Sequence, residues 1–452
     1  MTIDPSVIAA IRFGYGLPLP PGAAATPAAM LAALAGSDRA AAAHPGIALA
    51  DVLPLMAKAE ATRKLAQEGE PQMQAYRDAQ QAVEGLAQGA MRVTLARALA
   101  SPDGFRERLA QFWTDHFTAA PRSKRERALP SAMVNDAIRP HLAGRFADML
   151  RAVTLHPAML TYLDQVLSVG PTSRQGVRRK RGLNENLARE LIELHTLGVG
   201  APYSQDDVRQ MAELLTGLGF DVSEGFVFRP NIVEPGAETV LGRSYDGEGV
   251  APILTALDDL AVRPETASHI ARKLVVHFVS DEPDPALVGR LAEVFSATGG
   301  DLLQVYGALL ESPAAWVPPG GKARQPYDFL IASLRALGLG ADEITGLAEG
   351  PFRRLIVQPM GGMGQPWQAP RGPDGWPERA EAWITPQGMA ARISWAMEMP
   401  SRLVPDLPDP REFALTALGP LAGERLLWAV ERSENIREGV GLVLASPDFN
   451  RR

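Results

Sequence analysis

The stretch Asn184-Glu-Asn-Leu-Ala-Arg-Glu-Leu-Ile-Glu-Leu-His-Thr-Leu-Gly198 decides the fold class. It mixes amides, carboxylates, an arginine and a histidine with a leucine stripe. At about 100° per residue, Leu187, Leu191 and Leu194 share one face of an α-helix, widened by Ala188 and Ile192, and His195 falls inside that apolar arc. Asn184 suits the start, because its side chain can accept from the free amides of the first turn. Gly198 suits the stop, since glycine takes the left-handed cap conformation at little cost. Asn186, Glu190 and Glu193 line the other flank at spacings of four and three residues. A half-buried helix with an acidic edge implies other helices packed around it.

That edge is the first candidate site. Glu190 and Glu193 lie one turn apart and repel unless a metal, an arginine or a shared proton stands between them. Arg189, four residues before Glu193, can form a structural carboxylate–arginine network. Glu193 and His195 point to roughly opposite sides of the helix and cannot chelate one metal alone. A divalent cofactor would need His116 from elsewhere to complete Glu190 and Glu193, and so carboxylate-rich a set favours Mg, Mn, Ca or non-haem Fe.

His116 belongs to Phe112-Trp-Thr-Asp-His-Phe117. Phe105, Leu109, Phe112, Trp113 and His116 recur at helical spacing, which places the histidine on an apolar face. Such a histidine is either a hydrogen-bonded core residue or a ligand or base held rigid by aromatics. Two basic runs lie near these helices: Pro121-Arg-Ser-Lys-Arg-Glu-Arg127, and Arg174, Arg178, Arg179, Lys180 and Arg181 just before Asn184. They read as solvated loops or as a cationic rim drawing an anionic ligand or partner to the acidic edge. The candidate set is therefore Glu190, Glu193 and His116 for catalysis or metal, with Asn186, Arg189, His195, Trp113, Arg178 and Arg179 around a ligand.

The rest of the chain reads as helices joined by marked turns. A short helix over 5–12 ends at Phe13-Gly-Tyr-Gly16. Thr26-Pro27 starts another, and residues 50–100 form two long amphipathic helices broken near Gly69-Glu-Pro71. Further helical stretches run over 132–141 and 145–164. Ser204 and Asp207 have reciprocal capping spacing ahead of a helix over 205–217. Alternation in Gly219–Phe228 and a short run at Thr239–Gly242 signal a small β insertion. Helix returns over 251–316, where His269, Arg272, Lys273 and His277 are expected at the surface or an interface. Leu-x-Ser-Pro recurs at 99–102, 310–313 and 444–447 as a helix-end signal. Residues 351–377, rich in Pro, Gly and Trp, read as a long loop strapped to the body by Trp367, Trp376 and Trp383.

The expected fold is therefore mainly α: a multi-helical bundle or array with a β-hairpin insertion at 218–245 and a Pro/Gly/Trp-rich loop at 351–377. A chain of 452 residues suggests subdivision. The expected units are 1–217 with the candidate site, 218–250 as the insertion, 251–350, and 351–452, all of which can also form one compact unit.

Bulk properties narrow the function classes. A net charge of −7 gives no nucleic-acid signature. The chain has no cysteine, hence no disulfide and no thiolate site. The first dozen residues carry no basic leader, and no run of apolar residues reaches membrane-spanning length, so a cytoplasmic chain is expected. Phosphate-loop, His-Glu-x-x-His and serine-elbow motifs are missing, and the Glu-x-x-His of di-iron bundles reads Glu190-x-x-Glu193 here.

Several phrases together resemble the bacterial family catalogued as domain of unknown function 1800. They are Phe112-Trp-x-x-His-Phe117, Asn184–Gly198, Tyr203-Ser-x-x-Asp-Val208, Leu215-Thr-Gly217, Ala271-Arg-Lys-Leu274, Gly364-Gln-Pro366 and Gly375-Trp-Pro377. The resemblance runs from Arg12-Phe-Gly-Tyr-Gly16 to Ser446-Pro-Asp-Phe449. It implies no established activity. It does imply a protein partner, since many relatives look exported and are encoded beside a sulfatase-like family. This chain lacks an export signal and has Val233, Glu234 and Glu238 where relatives often carry His-Asp and a lysine. The sequence favours an accessory or interaction protein. The alternative is a metal-dependent or acid/base enzyme, a hydrolase or oxidoreductase, built on Glu190, Glu193 and His116.

Overall fold

A computed structural model of the chain describes residues 3–318 and 320–452. The sequence signals set most helix ends. Thr26 Oγ1 accepts from Ala29 N at 3.3 Å, and Asp103 Oδ1 accepts from Arg106 N at 3.1 Å. Ser204 and Asp207 cap each other's backbone amides at 3.1 and 2.8 Å. The three Ser-Pro phrases follow helices ending at Ala100, Glu311 and Ala445. Gly69 separates the helices Leu49–Leu65 and Glu70–Ala100, which pack along each other.

Apolar side chains gather into two cores. The first is centred on Phe13, Trp113, Phe117, Phe146, Leu191 and Tyr306. The second is built from the helices Pro326–Ala336, Pro410–Leu418 and Ile436–Ala445, with Trp395 and Phe449. The 31-residue helix Glu70–Ala100 is roughly 46 Å long and reaches both, giving Val83 to the first and Met91, Leu95 and Leu99 to the second. Two antiparallel hairpins make up the β insertion. β1 (Leu218–Asp221) pairs with β2 (Gly225–Phe228), and β3 (Glu238–Val240) pairs with β4 (Arg243–Tyr245). No helix among the described residues is long and apolar enough to cross a membrane.

The backbone departs from the expected reading in four places. The helix after Ser204 stops at Leu214, and the stretch 145–164 is broken at His156-Pro157, where proline can only start a new helix. The loop assigned to 351–377 begins later. Residues Glu349–Gly362 form an α–π–α run that buries Phe352, Ile356 and Met360 in the second core. Pro351 sits in its first turn, where its missing N–H costs nothing, and Pro359 follows a π segment that already loosens the ladder.

The fourth departure falls on the deciding stretch itself. Asn186–Glu190 is α-helical, but Leu191–Thr196 is π-helical, with Leu197 N bonded to Ile192 O at 2.9 Å and Thr196 Oγ1 donating to Leu191 O at 2.6 Å. The wider turn shifts every later side chain. Leu194 is only partly buried, while His195 and Thr196 turn fully inward. Single π turns inside α-helices recur at functional sites.

Candidate functional site

The acidic edge resolves into an arginine network. Arg189 bridges Glu185 at 3.2 Å and Glu193 at 3.3 Å, and its Nη2 donates to Gln205 at 3.0 Å. Glu190 is half-buried beside it, and burial, then Glu193 and Asp374, push its carboxyl above the usual range. Asn186 is exposed at the head of the helix. The grouping of Glu190, Glu193 and His116 is not formed. His116 Nε2 lies 3.2 Å from the carbonyl of His195, and among the described residues no three His, Asp or Glu side chains converge as a metal would require. Trp113 is a core residue whose Nε1 donates to Tyr306 Oη at 2.7 Å.

The two basic runs also part ways. Arg122, Arg125 and Arg127 are neutralised by Asp164, by Glu60 with Glu126, and by Glu84. Arg178 and Arg179 stand exposed with Arg174, Lys180 and Arg181, without an ion-pair partner among the described residues.

A different set of titratable groups does converge. It lies where the C-terminal end of the helix Gly104–His116 meets the helix Pro264–Phe278, the π turn and a strap of residues 363–379. Asp115 Oδ1 accepts the backbone N–H of Trp376 at 2.7 Å. That approach requires glycine at 375, where φ is +81° and any Cβ would lie 2.6 Å from the Asp115 carbonyl. Burial raises the Asp115 carboxyl to about 7, although Lys273 and the Trp376 N–H pull it down. Burial lowers the Lys273 ammonium, and Asp115 and Glu378 oppose that shift. Of the residues expected at the surface or an interface, Arg272 is exposed, while Lys273, His269 and His277 pack at this internal junction.

Behind Asp115 stand three imidazoles. The ring centroid of His116 is 6.2 Å from that of His195 and 6.1 Å from that of His269. Burial first, then Lys273, depresses all three: His195 to about 3, His269 to about 4, and His116 well below its ordinary value. His269 Nε2 lies 3.0 Å from the Leu194 carbonyl, so the π turn offers two carbonyls, those of residues 194 and 195, to neutral rings. His116 Nδ1 has no hydrogen-bond partner.

The strap is fastened along its length. Gln365 accepts from Tyr327 N and donates to Gln325, both at 2.8 Å. Gln368, at φ +47°, accepts from Ser131 at 3.0 Å. Glu378 pairs with His277 and with Lys322 at 3.2 Å; burial would raise its carboxyl, but these two partners hold it down to about 2. Between strap and helix lies a cleft of about 40 Å³, lined by Gln111, Thr114, Asp115, Thr118, Trp367 and Trp376. It admits a few water-sized groups with the strap in place. Trp367 Nε1 also has no partner.

Sequence reasoning named the neighbour, His116, and gave Trp376 a strapping role, but missed Asp115, Lys273 and Glu378 as members of the site. A partial signal existed, because Lys273 and Trp376 are specified residues of the phrases Ala271–Leu274 and Gly375–Pro377, whereas Asp115 falls on an open position of Phe112-Trp-x-x-His-Phe117.

Fold and site together define a mainly helical protein with a buried carboxyl–amine–imidazole cluster beneath a tryptophan-bearing strap. Residues 9–451 match the family model described as "Protein of unknown function (DUF1800)", and the chain belongs to that family. No curated protein and no solved structure matches it.

Proposed function

We propose that the cleft beside Asp115, and not the Glu190–Glu193 edge, is the working site, and that it performs acid–base chemistry on a small polar substrate. The observation that carries this reading is the buried Asp115 carboxyl, held by Trp376 on the wall of a cleft between helix and strap, with Lys273 near enough to act on its charge. Groups shifted toward neutral pH by burial and a specific charged partner concentrate where protons are exchanged. Asp115 is the proton-exchanging residue in this reading. Lys273 moderates its affinity for the proton, and Trp376 fixes one of its oxygens. Gln111, Thr114 and Thr118 offer hydrogen bonds to the substrate, and the indoles of Trp367 and Trp376 offer apolar faces.

The test is a thermal-shift screen of small polar compounds at pH 6 and pH 8. Compounds that stabilise the wild type should lose their effect in Asp115→Asn and keep it in Glu190→Gln. Hits indifferent to Asp115→Asn would refute the assignment.

A second reading, an accessory protein that docks an acidic partner, is favoured by the exposed segment 174–181. There, unpaired arginines surround Val177, which is 69% exposed. The sulfatase-like neighbour implied by the family resemblance belongs to this reading as the partner. Charge reversal at Arg178 and Arg179 would abolish such docking and leave the cleft untouched.

A further inference from the structure

The turn Arg12-Phe-Gly-Tyr-Gly16 has no part in the cleft, yet its backbone is threaded among buried arginines. Arg108 Nη1 reaches the Gly14 carbonyl at 3.4 Å, and Arg335 Nη1 donates to the Gly16 carbonyl at 3.1 Å. The guanidinium of Arg324 packs so close that a Cβ at Gly16 would lie 3.2 Å from its Nη2. Arg392 completes the group by donating from Nη2 to the Arg324 carbonyl at 2.7 Å.

The charges do not balance. Arg108, Arg324, Arg335, Arg392 and Arg452 are each no more than 6% exposed. Asp328 answers Arg108 at 3.1 Å and Arg452 at 3.5 Å. Glu378 is shared by Arg452, Lys322 and His277, and Lys322 also pairs with Asp281. Arg324, Arg335 and Arg392 have no carboxylate within ion-pair distance among the described residues. Arg335 and Arg392 spend both Nη atoms on carbonyls and on Asn450 Oδ1. Arg324 differs: it is 2% exposed, stacks on Phe449 at 4.6 Å, and neither Nη1 nor Nη2 has a hydrogen-bond partner.

A buried guanidinium with unpaired N–H groups is among the costliest arrangements a protein interior can hold. Neighbouring guanidiniums make it worse, and burial together with Arg108, Arg392 and Arg335 lowers the Arg324 pKa to about 10, which still leaves it charged at pH 7. Water could satisfy the N–H groups but would not offset the surplus charge. We propose that the interior binds one small inorganic anion on Arg324, between the Phe13–Gly16 turn and the second core. A halide and a small oxyanion share the required chemistry: compact size, negative charge and acceptance from two guanidinium N–H groups. Bound there, the anion joins the first turn of the chain to the helix Pro326–Ala336 and acts on stability, not on the cleft.

The experiment uses the full chain in gluconate buffer at fixed ionic strength, titrated with chloride, nitrate or phosphate while Tm is followed. The wild type should show a saturable rise of several degrees with at least one of these anions, and the size of the preferred one separates halide from oxyanion. Arg324→Gln should lose that rise and in gluconate should melt at or above the wild-type temperature. A wild-type Tm indifferent to anion identity, or an equal rise in Arg324→Gln, would overturn the proposal. Should Arg324→Gln not fold, bromide-soaked wild-type crystals decide. An anomalous peak within hydrogen-bonding distance of the Arg324 Nη atoms supports the site, and no peak there refutes it.

Discussion

Trp376 donates its backbone N–H to Asp115 Oδ1 across 261 residues of chain, and this single bond ties the strap to the end of the Trp113 helix. Burial, opposed in part by this bond, holds the carboxyl above its ordinary pKa. A carboxyl that binds its proton more tightly when folded than when unfolded contributes stability that is full below about 4 and is lost as pH rises toward about 7. Asp115→Asn keeps the acceptor for Trp376 and removes the ionisation. Its Tm should therefore exceed that of the wild type by at least ~2 °C at pH 8 and match it near pH 4, as read by calorimetry. An unchanged pH profile would remove the basis for the site.

The three imidazoles carry the opposite sign. His195 and His269 are depressed to about 3 and about 4, so the stability they protect is present above about 6.5 and is lost as pH falls through those values. His269→Gln should shift the acid-unfolding midpoint to lower pH while changing stability little at pH 8. Circular dichroism across pH 3–7 reads this directly.

Glu378 closes the far end of the strap. Replacing it with glutamine leaves Lys322 and Arg452 buried without their shared carboxylate. Lys322 keeps Asp281 and Arg452 keeps Asp328, so urea unfolding at pH 7 should show for Glu378→Gln a loss smaller than the about 3–5 kcal/mol of a fully stranded buried charge. The cost should fade only in strong acid, since the wild-type carboxyl is held down to about 2.

Glycine at 375 is a steric requirement. Gly375→Ala puts a methyl group against the Asp115 carbonyl at a positive φ and should displace the strap. The expected readouts are a drop of at least ~2 kcal/mol in stability and new proteolytic cleavage between residues 363 and 379.

Glu190 should matter little. It sits half-buried next to Glu193, whose charge is met by Arg189. Glu190→Gln relieves repulsion and is expected to change stability by less than ~1 kcal/mol, with ligand response unaltered.

Much of the architecture was readable because local chemistry fixed it. Thr26, Asp103 and Ser204 announced helix starts, and the aromatic spacing around Trp113 announced a buried face that does hold His116. The site was not readable, for two physical reasons. The π turn at Leu191–Thr196 moves Leu194 out of the apolar arc and turns Thr196 inward, and a residue-spacing argument has no way to detect a change of pitch. The pairs that matter, Asp115 with Trp376 and His277 with Glu378, join segments more than a hundred residues apart. A carboxylate beside a histidine in sequence looks like an ordinary helix end until another segment covers it. Likewise the Gly/Pro content of 351–362 suggested loop, but tertiary burial of Phe352 and Met360 outweighed local propensity.

The most direct test is a carbon-13 NMR titration of the carboxyl of Asp115, assigned by its absence in Asp115→Asn. The account predicts a midpoint near 7. A midpoint near 4, the value of a freely solvated aspartate, would contradict it.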